Sequence, residues 1–284
     1  MKRIYFLSLI AVLSLTHASQ AAQLYFNGFE TDVLGWNPTR VDRVASGTNG
    51  IPSASGSFHA QWDNSGSGSA STGWGATVIP ADGYNFGAGN AVGVPFRQYT
   101  TSVDVYLDLG NPAVLTDTRF DYTSAINNSS GTHRRDFAFN GGFYDASDAT
   151  SPGAGTDRFI FSGSNSTGRA NSFPYNPARD PVAISQSGWY TFTHDFRDNG
   201  LGVLEVELSL LDSSSNLINS WVLSDLTDVI DVTVGGNRYG WFANNEFPVF
   251  AFDNASMNAV PEPATFVLAG LAVLGLVGIA RRRK

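Results

Sequence analysis

The sequence predicts an all-β protein built as a two-sheet sandwich. Apolar and polar residues alternate along several segments, which is typical of strands with one buried face. Clusters of glycine, asparagine and aspartate separate these segments, and such clusters favour turns. Of the 284 residues, 13% are aromatic and only 15% are charged, so there is ample apolar surface to bury. No interior segment carries a helical stripe longer than about two turns. Together these observations favour a two-sheet jelly-roll sandwich.

Two segments show the alternation most clearly. Thr101 to Leu109 places Val103, Val105, Leu107 and Leu109 on one face, and Val203 to Leu211 places Leu204, Val206, Leu208 and Leu210 on one face. Ten further strands are predicted at Gln23 to Phe26, Phe58 to Trp62, Ala76 to Ile79, Arg119 to Thr123, Phe137 to Phe143, Arg158 to Phe161, Trp189 to Phe196, Leu217 to Leu223, Tyr239 to Ala243 and Val249 to Met257.

The N-terminus, residues 1–21, has the features of a secretory signal peptide. Lys2 and Arg3 precede an apolar run from Ile4 to Leu15, and Ser19-Gln20-Ala21 supplies small residues for cleavage after Ala21. An N-terminal membrane anchor is the alternative. It is disfavoured because the run has about 12 residues and a membrane span needs about 20.

The C-terminus, residues 260–284, carries a second membrane signal. Ala264 to Ala280 contains no charge, and Arg281-Arg282-Arg283-Lys284 follows at once. As a helix this run covers about 26 Å, enough for a short transmembrane helix. The cationic tail is expected on the cytoplasmic side, which leaves residues 22–259 outside as one β-sandwich domain. A buried core helix is disfavoured by the four consecutive cations.

The order of these C-terminal features resembles the PEP-CTERM sorting signal of Gram-negative bacteria. The residues that carry the resemblance are Pro261, Glu262 and Pro263, then the apolar span, then Arg281, Arg282 and Arg283. The resemblance implies a transient membrane anchor and processing by an exosortase near the Pro-Glu-Pro tripeptide. The signal peptide itself predicts export by Sec-type machinery. It also implies a link to exopolysaccharide and biofilm. A rigid linker beside the membrane is the alternative interpretation of the two prolines.

A second resemblance lies in the first and last strands of the body. Asn27-Gly28-Phe29-Glu30 and Gly35-Trp36, with Phe250 to Met257, are similar to jelly-roll carbohydrate-binding modules and concanavalin-like lectin domains. The resemblance implies that the terminal strands pair. It also implies a structural calcium ion held by Glu30 and Asp253; solvated or capping carboxylates are the alternative. No other cofactor is predicted.

Composition excludes several kinds of chemistry. The chain has no cysteine, which rules out disulfides, thiolate metal sites and a cysteine nucleophile. The body, residues 22–259, has 11 arginines, no lysine and 24 acidic residues, a net charge of −13, so a nucleic-acid partner is not expected. His59, His133 and His194 are not spaced as metal ligands.

One pair of carboxylates suggests catalysis. Glu205 and Glu207 lie two apart on a predicted strand, with side-chain bases about 7 Å apart on the same face. Such a pair is a starting point for glycoside hydrolysis. Jelly-roll glucanases carry a Glu, an Asp and a second Glu on one strand, and this chain lacks the Asp. The polar face of an amphipathic strand is the alternative.

Aromatic side chains provide the remaining recognition candidates. The run Asn237 to Phe242 mixes polar and aromatic groups, and Arg238, Tyr239 and Trp241 are the predicted ligand-binding residues. A turn feeding a buried strand is the alternative interpretation.

These features predict an exported protein of the cell envelope or extracellular matrix, in which a non-catalytic sandwich binds polysaccharide or serves as structure. The alternatives are a jelly-roll glycoside hydrolase using Glu205 and Glu207, and an adhesion protein with no glycan ligand.

Overall fold

The alternating segments of the sequence form strands in the structure, a computed structural model that describes residues 23–63, 70–74, 79–81, 84–86, 95–110, 116–165 and 179–260. In chain order the strands are β1 (Gln23–Asn27), β2 (Asp42–Ala45), β3 (Phe58–Asp63), β4 (Ala70–Trp74), β5 (Ile79–Ala81), β6 (Tyr84–Phe86), β7 (Tyr99–Leu107), β8 (Thr118–Asn127), β9 (His133–Tyr144), β10 (Arg158–Asn165), β11 (Val182–Ile184), β12 (Gly188–Asp198), β13 (Val203–Leu211), β14 (Leu217–Val229), β15 (Asn237–Asn245) and β16 (Val249–Ala259). Thr48–Gly50 forms one short 3-10 turn.

The strands form two sheets. Sheet A has the order β14-β13-β12-β7-β16-β3-β2, with β1 also paired to β16. Sheet B has the order β11-β10-β9-β8-β15-β6-β5, with β4 also paired to β15. Pairing is antiparallel throughout the described strands except between β6 and β15. The predicted two-sheet, all-β sandwich is therefore confirmed.

Alternation decides which side chains face the core. In β13, Leu204, Val206, Leu208 and Leu210 are fully buried, whereas Glu205 and Glu207 lie on the outer face. In β7, Val103, Val105 and Leu107 face inward as predicted. This strand begins two residues earlier than predicted. It also ends two residues earlier, because Asp108 accepts a hydrogen bond from the Gly110 N–H and starts a turn there.

Aromatic rings fill the space between the sheets. Phe139 of sheet B meets Phe192 of sheet A edge to face, with ring centroids 5.0 Å apart, and Tyr99 stacks on Phe196 at 4.4 Å. Edge-to-face and offset contacts are the favoured aromatic geometries, and they add to the stabilisation from apolar burial. Many of the aromatic side chains therefore pack in the core.

The two terminal strands of the body are neighbours. Tyr25 of β1 pairs with Met257 of β16, and β16 continues sheet A between β7 and β3. The pairing of first and last strands is confirmed. Asn254 has a positive φ of 50° and lies where the register between β16 and β7 shifts. Because of this shift, Phe252 before it and Ala255 after it both face the core.

Residues Gln23–Ala259 form one compact unit. The predicted signal peptide and the transmembrane run Ala264 to Ala280 lie outside the described residues, and within the described ranges no helix is long and apolar enough to cross a membrane. The predicted boundaries, including cleavage after Ala21, stay predictions.

Candidate functional site

A cavity of about 290 Å³ opens at the end of the sandwich where β7 stops and β16 begins. We call it the end pocket. Its polar rim is formed by Asn49, Tyr106 and Asp108, and Ile51 adds an apolar contact. Four phenylalanines supply most of its apolar wall: Phe120, Phe159, Phe247 and Phe250. An apolar cavity with a few polar groups at its mouth is the usual form of a small-molecule site.

The rim at Asn49 and Ile51 belongs to a loop, residues 46–57, that we call the cover loop. It lies against the outer face of β3, where the Asn49 amide nitrogen donates to Gln61 Oε1 at 2.8 Å. Ser53 Oγ lies 3.1 Å from His59 Nδ1. The cover loop accounts for the burial of His59 and Gln61, which are on the outer side of sheet A.

Two carboxylates hold the far end of the cover loop. Asp253 Oδ2 accepts the N–H groups of Ala54 and Ser55 at 3.1 and 3.3 Å. Glu30 Oε1 accepts those of Ser57 and Phe58 at 2.9 and 3.0 Å. These bonds satisfy backbone donors that a loop cannot pair by itself.

Gly56 is required between these anchors. Its φ is +60°, a left-handed conformation, and a Cβ there would collide with the Glu30 carboxylate. Any other residue at this position would have to displace either the loop or Glu30.

Asp253 is the most strongly perturbed acid of this region. Its side chain is fully buried, and desolvation raises its pKa to about 7 although three backbone N–H groups favour the charged form. Asp104 lies opposite it on β7 and adds repulsion. Asp104 itself accepts hydrogen bonds from Thr191 Oγ1 at 2.5 Å and from the Asn254 amide at 2.8 Å.

The predicted calcium ligands have a different environment from the one a calcium ion needs. Glu30 and Asp253 both face N–H donors, and calcium takes about six to eight oxygen ligands. Within the described residues no group of three or more His, Asp or Glu side chains could hold a metal ion. The geometry does not fit a calcium ligand set, and calcium binding stays a prediction.

The predicted carboxylate pair is tied to one arginine. Arg197 Nε donates to Glu205 Oε1 at 2.9 Å, and Nη1 donates to Glu207 Oε2 at 2.8 Å and to Asp195 Oδ2 at 3.1 Å. Burial raises the pKa of Asp195, and Arg197 opposes that rise. Glycosidase pairs need one protonated acid free to reach the leaving oxygen, whereas these oxygens are engaged by a guanidinium.

The predicted recognition residues Arg238, Tyr239 and Trp241 lie in β15, in the middle of sheet B. Their backbones pair with β8, and their side chains lie outside what the structure describes. The next residue, Phe242, is fully buried in the core. Their role in binding stays a prediction.

One fully buried histidine, His194, belongs to the core. His194 Nε2 donates to the Phe137 carbonyl at 3.0 Å, which links the two sheets, and burial lowers its pKa to about 3. It is therefore a neutral imidazole at ordinary pH.

The end pocket is not predicted by the sequence. Its rim comes from residues 49, 51, 106 and 108, and its wall from residues spread between 120 and 250. The one local signal was Tyr106, an aromatic residue on the polar face of an alternating strand. An aromatic ring at such a position is available to a ligand.

Comparison with known proteins identifies the C-terminus. Residues 259–284 match the PEP-CTERM protein-sorting motif. The motif implies export and a membrane-anchored precursor that an exosortase processes. No curated protein matches the chain.

Several solved structures match the chain at low identity and low TM-score. The Lotus tetragonolobus seed lectin is 12% identical with a TM-score of 0.43, over 84% of this chain and 100% of that one. The CBM2 module of the evolved Dit of Lactobacillus casei BL23 phage J-1 is 11% identical with a TM-score of 0.39, over 86% and 99%. The endo-1,3-beta-glucanase from Streptomyces sioyaensis is 11% identical with a TM-score of 0.35, over 86% and 98%.

Proposed function

We propose that this protein is an exported, exosortase-processed surface or extracellular-matrix protein whose sandwich binds a neutral glycan, without catalysis, in the end pocket. The observation that carries the proposal is the pocket itself, in which a phenylalanine wall meets a rim of amide, phenol and carboxylate groups. The sorting motif supports an extracellular destination.

The rim has the chemistry that a sugar ring needs. Sugar hydroxyls are donors and acceptors, and the Asn49 amide and the Asp108 carboxylate offer complementary groups. The C–H face of a sugar is apolar and suits the ring of Tyr106. The volume of about 290 Å³ is at the small end of ligand sites, so the pocket accommodates one or two sugar units of a longer chain.

Charge decides between neutral and acidic glycans. The body carries a net charge of −13, and Asp108 stands on the pocket rim. Clefts of one sign repel ligands of the same sign and lower their local concentration. A neutral polysaccharide is therefore the preferred partner, and the matrix outside the cell, including exopolysaccharide of a biofilm, supplies such chains.

The arginine network on the outer face of sheet A supports a non-catalytic role. Arg197 neutralises the two carboxylates on which a glycosidase mechanism would depend, Glu205 and Glu207. A binding role needs only the pocket and its rim.

Export is proposed to run through the Sec-type machinery of a Gram-negative bacterium, with residues 1–21 as the signal peptide that directs it.

The test is binding of the purified full-length protein to an array of neutral and acidic oligosaccharides. The proposal expects saturable binding to neutral glycans that is weakened at least about tenfold in Tyr106→Ala. Retention of acidic glycans alone, or of none, contradicts it, and the second result favours an adhesion protein without a glycan ligand. Chain shortening of any array glycan would support the hydrolase alternative instead.

A further inference from the structure

Three aliphatic side chains have the highest exposures among the large apolar residues that the structure describes. Leu226 is 84% exposed, Leu201 is 85% exposed and Val232 is 67% exposed. Isolated apolar side chains on a surface need no explanation, but a group of them at one place marks an interaction site.

The three residues lie at one end of the sandwich. Leu201 is in the turn between β12 and β13, and Val203, which follows that turn, pairs with Val229 at the end of β14. The Ile230 N–H donates to the Gly202 carbonyl at 2.9 Å, which brings the segment after β14 onto the same turn. Val232 is in that segment, and Leu226 is three residues before the end of β14. We call the three side chains the apolar end.

The chain leaves the sandwich at this same end. Ala259, the last residue of β16, pairs with Tyr99, and Tyr99 pairs with Phe196, two residues before β12 ends. The Phe96 N–H, just before β7, donates to Asp231 Oδ1 at 2.8 Å and so joins this edge to the apolar end. The end pocket is at the opposite end of β7.

The length of chain after the sandwich limits the distance between Ala259 and a membrane that holds the precursor. Four residues, Val260 to Pro263, separate Ala259 from Ala264, where the uncharged run begins. Fully extended, the chain from Ala259 to Ala264 spans at most about 18 Å. A bilayer that holds the precursor by this run is therefore close to the end of the sandwich that carries Ala259.

We propose that the apolar end rests on the bilayer surface while the precursor is anchored. The inference goes beyond glycan binding and rests only on the anchored-precursor part of the proposed function. Aliphatic side chains gain free energy by entering the boundary between headgroups and acyl chains. The contact orients the sandwich with the end pocket pointing away from the membrane.

Charged residues beside the apolar end determine which lipid headgroups it can approach. Asp198 and Asp231 are exposed next to these side chains, and the exposed Arg97 follows Phe96 on the same edge. The body as a whole is strongly acidic, with a net charge of −13. Anionic headgroups repel such a surface, so zwitterionic lipid is the expected partner.

The cysteine-free chain allows a direct test. The full-length precursor is reconstituted in phosphatidylcholine vesicles with single cysteines at 201, 226 or 232, each carrying a polarity-sensitive fluorophore. Leu217→Cys is the matched control, because Leu217 is 59% exposed on the same strand as Leu226 but at its opposite end. A quencher attached to the lipid should reduce emission at the three test positions at least threefold more than at 217.

Three results would overturn the proposal. One is equal quenching at 226 and 217. A second is failure of the precursor to float with the vesicles, which would remove the anchor as well. The third is an emission shift at 226 in detergent without lipid that grows with protein concentration, which would assign the apolar end to a second copy. Glycan-array binding is a separate readout, so failure of the end pocket leaves this test intact.

Discussion

The indole Nε1 of Trp189 donates a hydrogen bond to the carbonyl oxygen of Pro52 at 2.8 Å, across 137 residues of sequence. Trp189 stands on the outer face of sheet A, where its ring meets Tyr106 at 5.4 Å. Pro52 follows Ile51, which lines the end pocket. One tryptophan therefore contacts both an aromatic residue of the rim and the loop that forms the other side of the rim.

Replacing that tryptophan should loosen the cover loop without unfolding the sandwich. Trp189→Phe keeps an aromatic ring and removes the donor, at a cost of about 1 kcal/mol of unfolding free energy. Backbone amides of residues 46–57 should exchange with solvent faster than in the wild type. Trp221→Phe is the matched control, because its Nε1 donates to the Arg179 and Asp180 carbonyls elsewhere. Unchanged exchange in the cover loop of Trp189→Phe would contradict this role.

The buried Asp253 should make stability depend on pH. Its folded pKa of about 7 is above its ordinary value, so between about pH 4 and 7 the folded state binds more protons than the unfolded state. The contribution of Asp253 to stability is therefore present at low pH and is lost as pH rises to 7. At about 1.4 kcal/mol per pH unit, the loss is up to about 4 kcal/mol.

The measurement is the unfolding free energy of wild type and Asp253→Asn across this range. Their difference isolates Asp253 from the groups around it, His59 and Asp104, which both variants share. The wild type should lose stability relative to Asp253→Asn as pH rises. A difference that is constant with pH, or that has the opposite slope, would show that Asp253 is ionised throughout.

The carboxylates beside Arg197 should be dispensable for any activity toward glycans. Glu205→Gln and Glu207→Gln each remove one partner of a partly exposed arginine, which costs about 1 kcal/mol or less. Glycan binding should stay unchanged, and the wild type should release no reducing sugar. Hydrolysis by the wild type that both variants lose would establish the glycosidase alternative.

The basic tail should be required for processing. Deleting Arg281 to Lys284 removes the charges that keep the end of the span in the cytoplasm, so the precursor should accumulate uncleaved or mislocalised in its host. The mass of the released protein and a fractionation blot measure this. A host without exosortase should give the same precursor, and normal release in both cases would refute the processing pathway. The Glu205→Gln protein with an intact tail serves as the control.

Local pattern was sufficient to predict the strands with a clear period. The alternation of Val203 to Leu211 located β13 at its observed bounds and assigned its inner and outer faces correctly. The strand predicted at Ala76 to Ile79 shares only Ile79 with β5, and residues 76–78 lie outside the described residues. Four other strands of three to five residues, β2, β4, β6 and β11, were not predicted, because so short a segment shows no period. They form through pairing with longer neighbours rather than through their own composition.

The candidate site is built from contacts between residues that the spacing along the sequence does not predict. The sequence predicts Glu30 and Asp253 together as metal ligands. In the structure both carboxylates contact the cover loop, where they accept hydrogen bonds from its backbone N–H groups. Arg197 lies eight residues before Glu205, and only the hairpin of β12 and β13 makes them opposite each other. The end pocket likewise required the cover loop to fold back over sheet A.

Binding at the end pocket is tested by the affinity for the neutral oligosaccharide selected by the array, determined by calorimetry. Tyr106→Ala removes the aromatic rim, and Phe26→Ala removes a ring that is 53% exposed on β1, away from the end pocket. We expect the first variant to bind at least about tenfold more weakly, a loss of about 1.4 kcal/mol, and the second to bind as the wild type does. Equal affinity in all three proteins would contradict binding at the end pocket.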